Sequence, residues 1–156
     1  QLIDSLASDE AVERQNARAE LVEIGSPAVP ALVAILSAPQ QHVRWEAAKA
    51  LAEIRDPSAA EPLVDALSDQ SDDVRWVVAE ALIALKGAAI KPLLTALTKS
   101  KLPITFNEGA HHVLHDLGKQ NDLAEIVDPV VQAFSGPERE SGVPVAAEQA
   151  LQRCGY

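Results

Sequence analysis

The chain repeats itself with a spacing near 31 residues, and such self-similarity leaves few architectures open. Three stretches align: RQNARAELVEIG (14–25), RWEAAKALAEIR (44–55) and RWVVAEALIALK (75–86). Arg14, Arg44 and Arg75 head them, and Leu21, Leu51 and Leu82 follow seven residues later in each. A second set interleaves with the first: PALVAILS (30–37), EPLVDALS (61–68) and KPLLTALT (91–98). Its leucines Leu36, Leu67 and Leu97 stand 31 and then 30 residues apart. The opening QLIDSLAS (1–8) fits the second set with its first turn cut short. NEGAHHVLHDLG (107–118), PVVQAF (129–134) and PVAAEQALQRCG (144–155) continue the frame loosely. From Leu97 to Phe134 the interval is 37, so the fourth unit carries insertions.

Each segment has helical periodicity. Val43, Ala47, Ala50, Leu51 and Ile54 fall at i, i+4, i+7, i+8 and i+11, one face of a helix. Breakers separate the segments: Gly25-Ser26-Pro27, Asp56-Pro57, Gly87, Gly118 and Gly136-Pro137. Ser71 and Asp72 are candidate N-caps before Val74. No window alternates with period two, so no sheet is expected. One such helix cannot bury its apolar stripe alone, but a hairpin of two, stacked on the next hairpin, can. The expected fold is all-α, a right-handed α-solenoid of about five helical hairpins forming one domain over 1–156. Its units run approximately 1–25, 26–55, 56–87, 88–118 and 119–156.

Composition narrows the function. Apolar residues make up 47% and aromatics only 3%, which suits closely packed helices. Thirteen basic and 23 acidic residues leave a formal charge of −10, which argues against nucleic-acid and anionic-membrane binding. Lys99 and Lys101 are the best candidates for a local basic patch. Cys154 is the only cysteine and excludes an internal disulfide, so a reducing, cytoplasmic setting is the simplest expectation. It matches Leu85 in the repeat frame and is expected to be a small core hydrophobe. No signal-peptide pattern appears, and no apolar run approaches the roughly 18 residues of a spanning helix. The chain begins at Gln1 and has no methionine, the pattern of an excised piece or a processed product.

The stretch VRWEAAKALAEIRDPSAAEPLVDAL (43–67) resembles the HEAT family, specifically its short bacterial repeats of the phycobilisome-lyase type. The similarity is strong across residues 10–98 and weaker to 155. It implies an armadillo-like superhelix with an arginine–aspartate ladder along the stack. Arg14, Arg44 and Arg75 match the ladder arginine, which implies a structural role for them. Asp9 and Asp69 or Asp72 match the aspartate, while APQQH (38–42) offers no acid in the second unit. Asn107 and Pro144 stand at the arginine position of units four and five. Deoxyhypusine hydroxylase resembles this repeat but places iron-binding His-Glu pairs where this chain has Trp45-Glu46 and Trp76-Val77, so that activity is not carried over. No residue matches a catalytic motif of the phycobilin lyases.

The resemblance also implies that the second helix of each hairpin lines a concave side. On the helical frame of Val43, the core face centres near Ala47 and Ile54, while Trp45, Ala48 and Ala52 fall opposite. The matching residues are Trp76, Ala79 and Ile83 one repeat later, and Glu108, His111 and His115 in the fourth unit. The corresponding residues of the first unit are Gln15, Arg18 and Val22. Stacked in register, Trp45, Trp76, Glu108, His111 and His115 line one trough, the candidate partner surface. Each tryptophan has a second reading, as packing against the alanines of the adjacent helix. His112 falls near the Lys49 and Glu80 row and is expected to face solvent.

His111 and His115, at i and i+4, are the only metal candidates, with Glu108 one turn earlier. A third ligand must come from elsewhere, so surface hydrogen bonding or packing is the preferred reading and no metal is assigned. The acids are scattered over helix exteriors, and no phosphate-cradling glycine loop or Gly-x-Ser-x-Gly elbow occurs. The reading that results is a non-catalytic scaffold for a protein or peptide partner, with no cofactor, nucleic acid or membrane. The segments 99–107 and 118–128 are its expected partner-specific loops. The alternatives are a lyase-type accessory holding a tetrapyrrole against Trp45, Trp76 and His111, and a metal-binding solenoid using His111 and His115.

Overall fold

The computed structural model describes residues 1–99, 101–120 and 122–155. Among them are ten α-helices and no strand. They are α1 (Leu2–Ser5), α2 (Ala11–Ile24), α3 (Val29–Ala34), α4 (Gln41–Ile54), α5 (Ala60–Ala66), α6 (Asp72–Ala84), α7 (Ile90–Leu97), α8 (Ile104–Leu117), α9 (Ala124–Phe134) and α10 (Arg139–Arg153). Short 3-10 turns at Ser26–Ala28, Pro57–Ala59 and Lys86–Ala89 lead into α3, α5 and α7. Pro27 and Pro57 sit in the first positions of two of these turns, where the missing N–H leaves nothing unpaired. Of the two candidate caps, Ser71 takes the role, its hydroxyl accepting from the Val74 amide, and Asp72 becomes the first residue of α6.

The hairpins stack as a solenoid. α2, α4, α6 and α8 lie side by side in one row, while α1, α3 and α5 pack on their hairpin partners α2, α4 and α6. The core is continuous from Leu6 to Ala150, with Leu51, Leu82 and Leu114 fully buried in the second-helix row. No single helix among the described residues is long and apolar enough to cross a membrane.

The last hairpin departs from the frame. α9 packs along α8, and α10 packs along α9 and α7. Its first helix therefore extends the row of second helices, and its second helix lies against the other row. The backbone shows where the exchange begins. Residues 25, 55 and 86 are equivalent, and Gly25, Arg55 and Lys86 all take positive φ (74°, 59° and 54°) as the chain turns back. Gly118, the fourth equivalent, stays right-handed at φ −65°, so the chain leaves α8 in another direction. Its lack of a side chain serves a close approach instead: a Cβ there would stand 3.0 Å from Val127 Cγ2 and Asp128 Oδ1 of α9. The expected loops are also shorter than 99–107 and 118–128, because α8 begins at Ile104 and α9 at Ala124. Ser100 and Asn121 lie outside the described residues.

One-sided amphipathic reasoning misplaces several residues. Ala48 and Ala79, expected opposite the core, are buried, and Ala52 and Ile83 are half-buried. The cause is the row itself: an inner second helix has a neighbour on each side, so its buried arc is far wider than one stripe. α4 buries Val43, Arg44, Glu46, Ala47, Ala48, Ala50 and Leu51. Among the described residues α2 has a second-row neighbour on only one side, and Ile24, expected in the core like its equivalents Ile54 and Leu85, is 49% exposed. Cys154 is half-buried rather than a core residue, because α10 does not occupy the second-helix row.

Candidate binding surface

The three repeat arginines hold turns. Arg14 donates to the carbonyls of Ser8 and Asp9, Arg44 to those of Ala38 and Pro39, and Arg75 to that of Asp69. The reach, five or six residues back, is the same each time. Asn107 makes a shorter version of the contact, 3.4 Å to the Leu102 carbonyl. Arg44 also grips Asp69 of the next unit with two prongs, Nε–Oδ2 2.8 Å and Nη2–Oδ1 3.1 Å, with both side chains about as buried as the core. Asp69, not Asp72, is thus the ladder acid for this rung; Asp72 pairs with Arg75 inside its own turn. Among the described residues the side chain of Asp9 makes no such pair, and Arg14 instead lies 3.6 Å from Glu46.

Glu46 is a residue that periodicity missed. It is 6% exposed, and its carboxylate meets Arg18 at 2.5 Å as well as Arg14. Arg18 crosses from α2 to α4, reaching Glu53 at 3.6 Å and lying 5.6 Å from the Trp45 ring centroid. The sequence did carry a signal: Arg18 stands in register with Ala48 and Ala79, and only a long cation there can span to the next helix. Trp45 is half-buried and packed against the core, so its face is taken up by Arg18 and the second-helix row.

Trp76 behaves differently. It is 61% exposed, and its ring lies 5.2 Å from that of His112, nearly parallel at 21°. His112 is half-buried, with Nε2 3.5 Å from a Glu80 carboxylate oxygen. It is therefore not the solvent-facing residue the frame suggested: Glu80 and His112 are equivalent positions on adjacent helices, and the Trp76 indole leans one turn along α6 to cover the imidazole.

His111 points away from this pair and stacks on Phe134 of α9, centroids 5.0 Å apart at 20°. The exchanged hairpin is the reason, since it brings α9 against the face of α8 that His111 occupies. Burial, and then the neighbouring charges of His115, His112 and Arg139, hold the His111 imidazole below its usual range. His115 is exposed, its Nδ1 3.6 Å from Asp116, and Glu108 is exposed. Among the described residues no three His, Cys, Asp or Glu side chains gather as a metal-holding group. Of the five trough residues, the structure therefore gives Trp76 an exposed seat on the second-helix row, backs it with His112, and turns His111 into the α8–α9 contact.

The HEAT-repeat family model matches residues 1–83. No curated protein matches the chain. Among solved structures, it is similar to a chain in the complex of CpcE and CpcF of phycocyanin lyase from Nostoc sp. PCC7120, at 23% identity and a TM-score of 0.62, covering 96% of this chain and 95% of that one. A crystal structure of an engineered protein is 24% identical with a TM-score of 0.45, covering 96% of this chain and 76% of that one. A repeat every 31 residues, a row of parallel second helices and arginine-clamped turns agree with the match: the chain belongs to the HEAT-repeat family.

Proposed function

We propose that this chain is a non-catalytic scaffold that binds a protein or peptide partner along its second-helix row, with Trp76 as the anchoring side chain. The observation that carries this reading is an indole left 61% exposed yet held flat against His112. A large aromatic with fixed orientation loses little entropy on binding and offers broad apolar contact, the profile of an interface hot spot. Trp45 supports the row from within, through Arg18 and the core. The structural neighbour is found in a complex of two proteins, which fits protein contact as the use of this architecture. The reducing setting expected from the lone cysteine makes the cytoplasm the proposed location.

The test is affinity capture with the intact chain and two variants. Trp76→Ala is expected to weaken capture of the partner about thirtyfold, from the roughly 2 kcal/mol of a hot-spot aromatic, while lowering the melting temperature by only a few degrees. Trp45→Ala is expected to lower the melting temperature. Undiminished capture by Trp76→Ala would overturn the reading. Saturable quenching of tryptophan fluorescence by a bilin, with a bilin absorbance shift that Trp76→Ala abolishes, would favour a tetrapyrrole accessory instead.

A further inference from the structure

The acidic character of this protein reverses in one place. Between Glu80 and Glu108 the sequence holds Lys86, Lys91, Lys99 and Lys101 and no Asp or Glu, although the whole chain has 23 acids against 13 bases. This stretch comprises the end of α6, all of α7 and the turn into α8.

The exchanged hairpin places a groove beside it. Because α10 packs along α7 and α9 along α8, the α7–α8 and α9–α10 turns come together at one end of the stack. Between them lies a groove of about 1030 Å³. Buried Leu97, Phe134 and Val143 contribute apolar lining, with Leu102 and Ile104 beside them. Ile104 is 62% exposed, one of the most exposed large apolar side chains in the protein. Lys99, Lys101 and Arg139 also line the groove, all exposed and with no ion pair among the described residues, against two acids, Glu138 and Glu140. Lys101 is held at φ 62°, a conformation that costs a non-glycine residue energy.

We propose that this groove docks an acidic peptide segment: an apolar side chain enters against Leu97, Phe134 and Val143, and flanking carboxylates meet Lys99, Lys101 and Arg139. Charge complementarity selects the occupant. An acidic segment is repelled by most of this protein's surface and attracted here, so the three cations steer it to one place. A small free anion does not account for the apolar lining, and a nucleic acid needs a longer cationic track than an acidic surface provides. The groove uses neither Trp76 nor His112, so it stands apart from the second-helix row and its test is independent.

The probe is a fluorescein-labelled hexapeptide, Asp-Glu-Leu-Phe-Glu-Asp, followed by fluorescence anisotropy with the full chain. Saturable binding is expected that weakens as salt rises, because exposed charges at this distance are screened. The triple variant Lys99→Glu/Lys101→Glu/Arg139→Glu should weaken it on the order of tenfold or more. Ile104→Ser, an exposed and uncharged change that circular dichroism should show to be folded, should weaken it without altering the salt dependence. Trp76→Ala should leave it unchanged. Absence of saturable binding would overturn the proposal, as would equal binding of Lys-Lys-Leu-Phe-Lys-Lys. Tighter binding of oligo-dT or of phosphatidylserine vesicles than of the peptide would also overturn it and reassign the cations to phosphate.

Discussion

The indole of Trp76 and the imidazole of His112 stack 5.2 Å apart across the junction of α6 and α8. The contact fixes the orientation of an exposed ring without burying it. Its contribution to folding is accordingly small: Trp76→Ala should cost about 0.5–1.5 kcal/mol, the worth of an aromatic pair. Leu82→Ala, in the same helix but with its side chain fully buried, should cost about 2–5 kcal/mol. Urea denaturation of the two variants measures both. A larger loss at Trp76 than at Leu82 would mean that the tryptophan is a structural residue.

Among the described residues, Arg44 and Asp69 form the one rung of the ladder in which both side chains are buried. Removing either partner leaves a charge away from water, so Arg44→Ala or Asp69→Ala should each cost about 3–5 kcal/mol. Arg44→Lys should not rescue the site, because an ammonium cannot hold a carboxylate with two prongs and cap two carbonyls at once. The double variant Arg44→Met/Asp69→Leu should be more stable than either alanine variant. Denaturant midpoints across the set check this, and additive losses would contradict it.

The turn positions 25, 55 and 86 make a backbone prediction. Arg55 and Lys86 adopt left-handed φ values where the first repeat uses Gly25. Relief of that strain, less the greater freedom of glycine in the unfolded chain, should make Arg55→Gly stabilising by about 0.5–1 kcal/mol. Gly118→Ala should do the opposite despite its right-handed backbone, since the added methyl meets Val127 and Asp128. Thermal melts distinguish the two signs.

His111 links stability to acid. Its folded pKa is lowered, chiefly by burial and then by the charges of His115, His112 and Arg139. The unfolded chain therefore takes up a proton more readily, and stability rises with pH through this site. The contribution is present above the ordinary histidine pKa near 6.5 and fades as pH falls below it. The stack on Phe134 places the loss at the α8–α9 contact. Hydrogen exchange at pH 7.5 and 5.5 should show α9 amides losing protection first, and His111→Gln should flatten the difference. Equal loss in that variant would exclude His111 as the source.

The repeat architecture was legible because a hydrophobic period near 31 with breakers between segments admits few packings. The ladder arginines were legible for the same reason, since they recur at one station. Individual surfaces were harder. Ala48 and Ala79 looked outward because a helical wheel assumes one buried face, while an inner helix of a stack has neighbours on both flanks. His111 looked like a neighbour of the tryptophans because the fifth hairpin was expected to continue the row. Which layer α9 joins is set by the turn at Gly118, and glycine there signals a break without giving its direction. Glu46 escaped notice because its equivalents Asn16 and Val77 share no charge, so only the tertiary pairing with Arg18 explains it.

The central claim, that a partner docks on the second-helix row around Trp76, is tested most directly by site-specific photocrosslinking. A benzophenone side chain is placed at exposed Glu80 on α6 or at exposed Ala31 on α3. The prediction is a discrete protein adduct from position 80, lost when Trp76→Ala is added, and none from position 31. An adduct from position 31 alone, or one from position 80 that persists without the tryptophan, would contradict it.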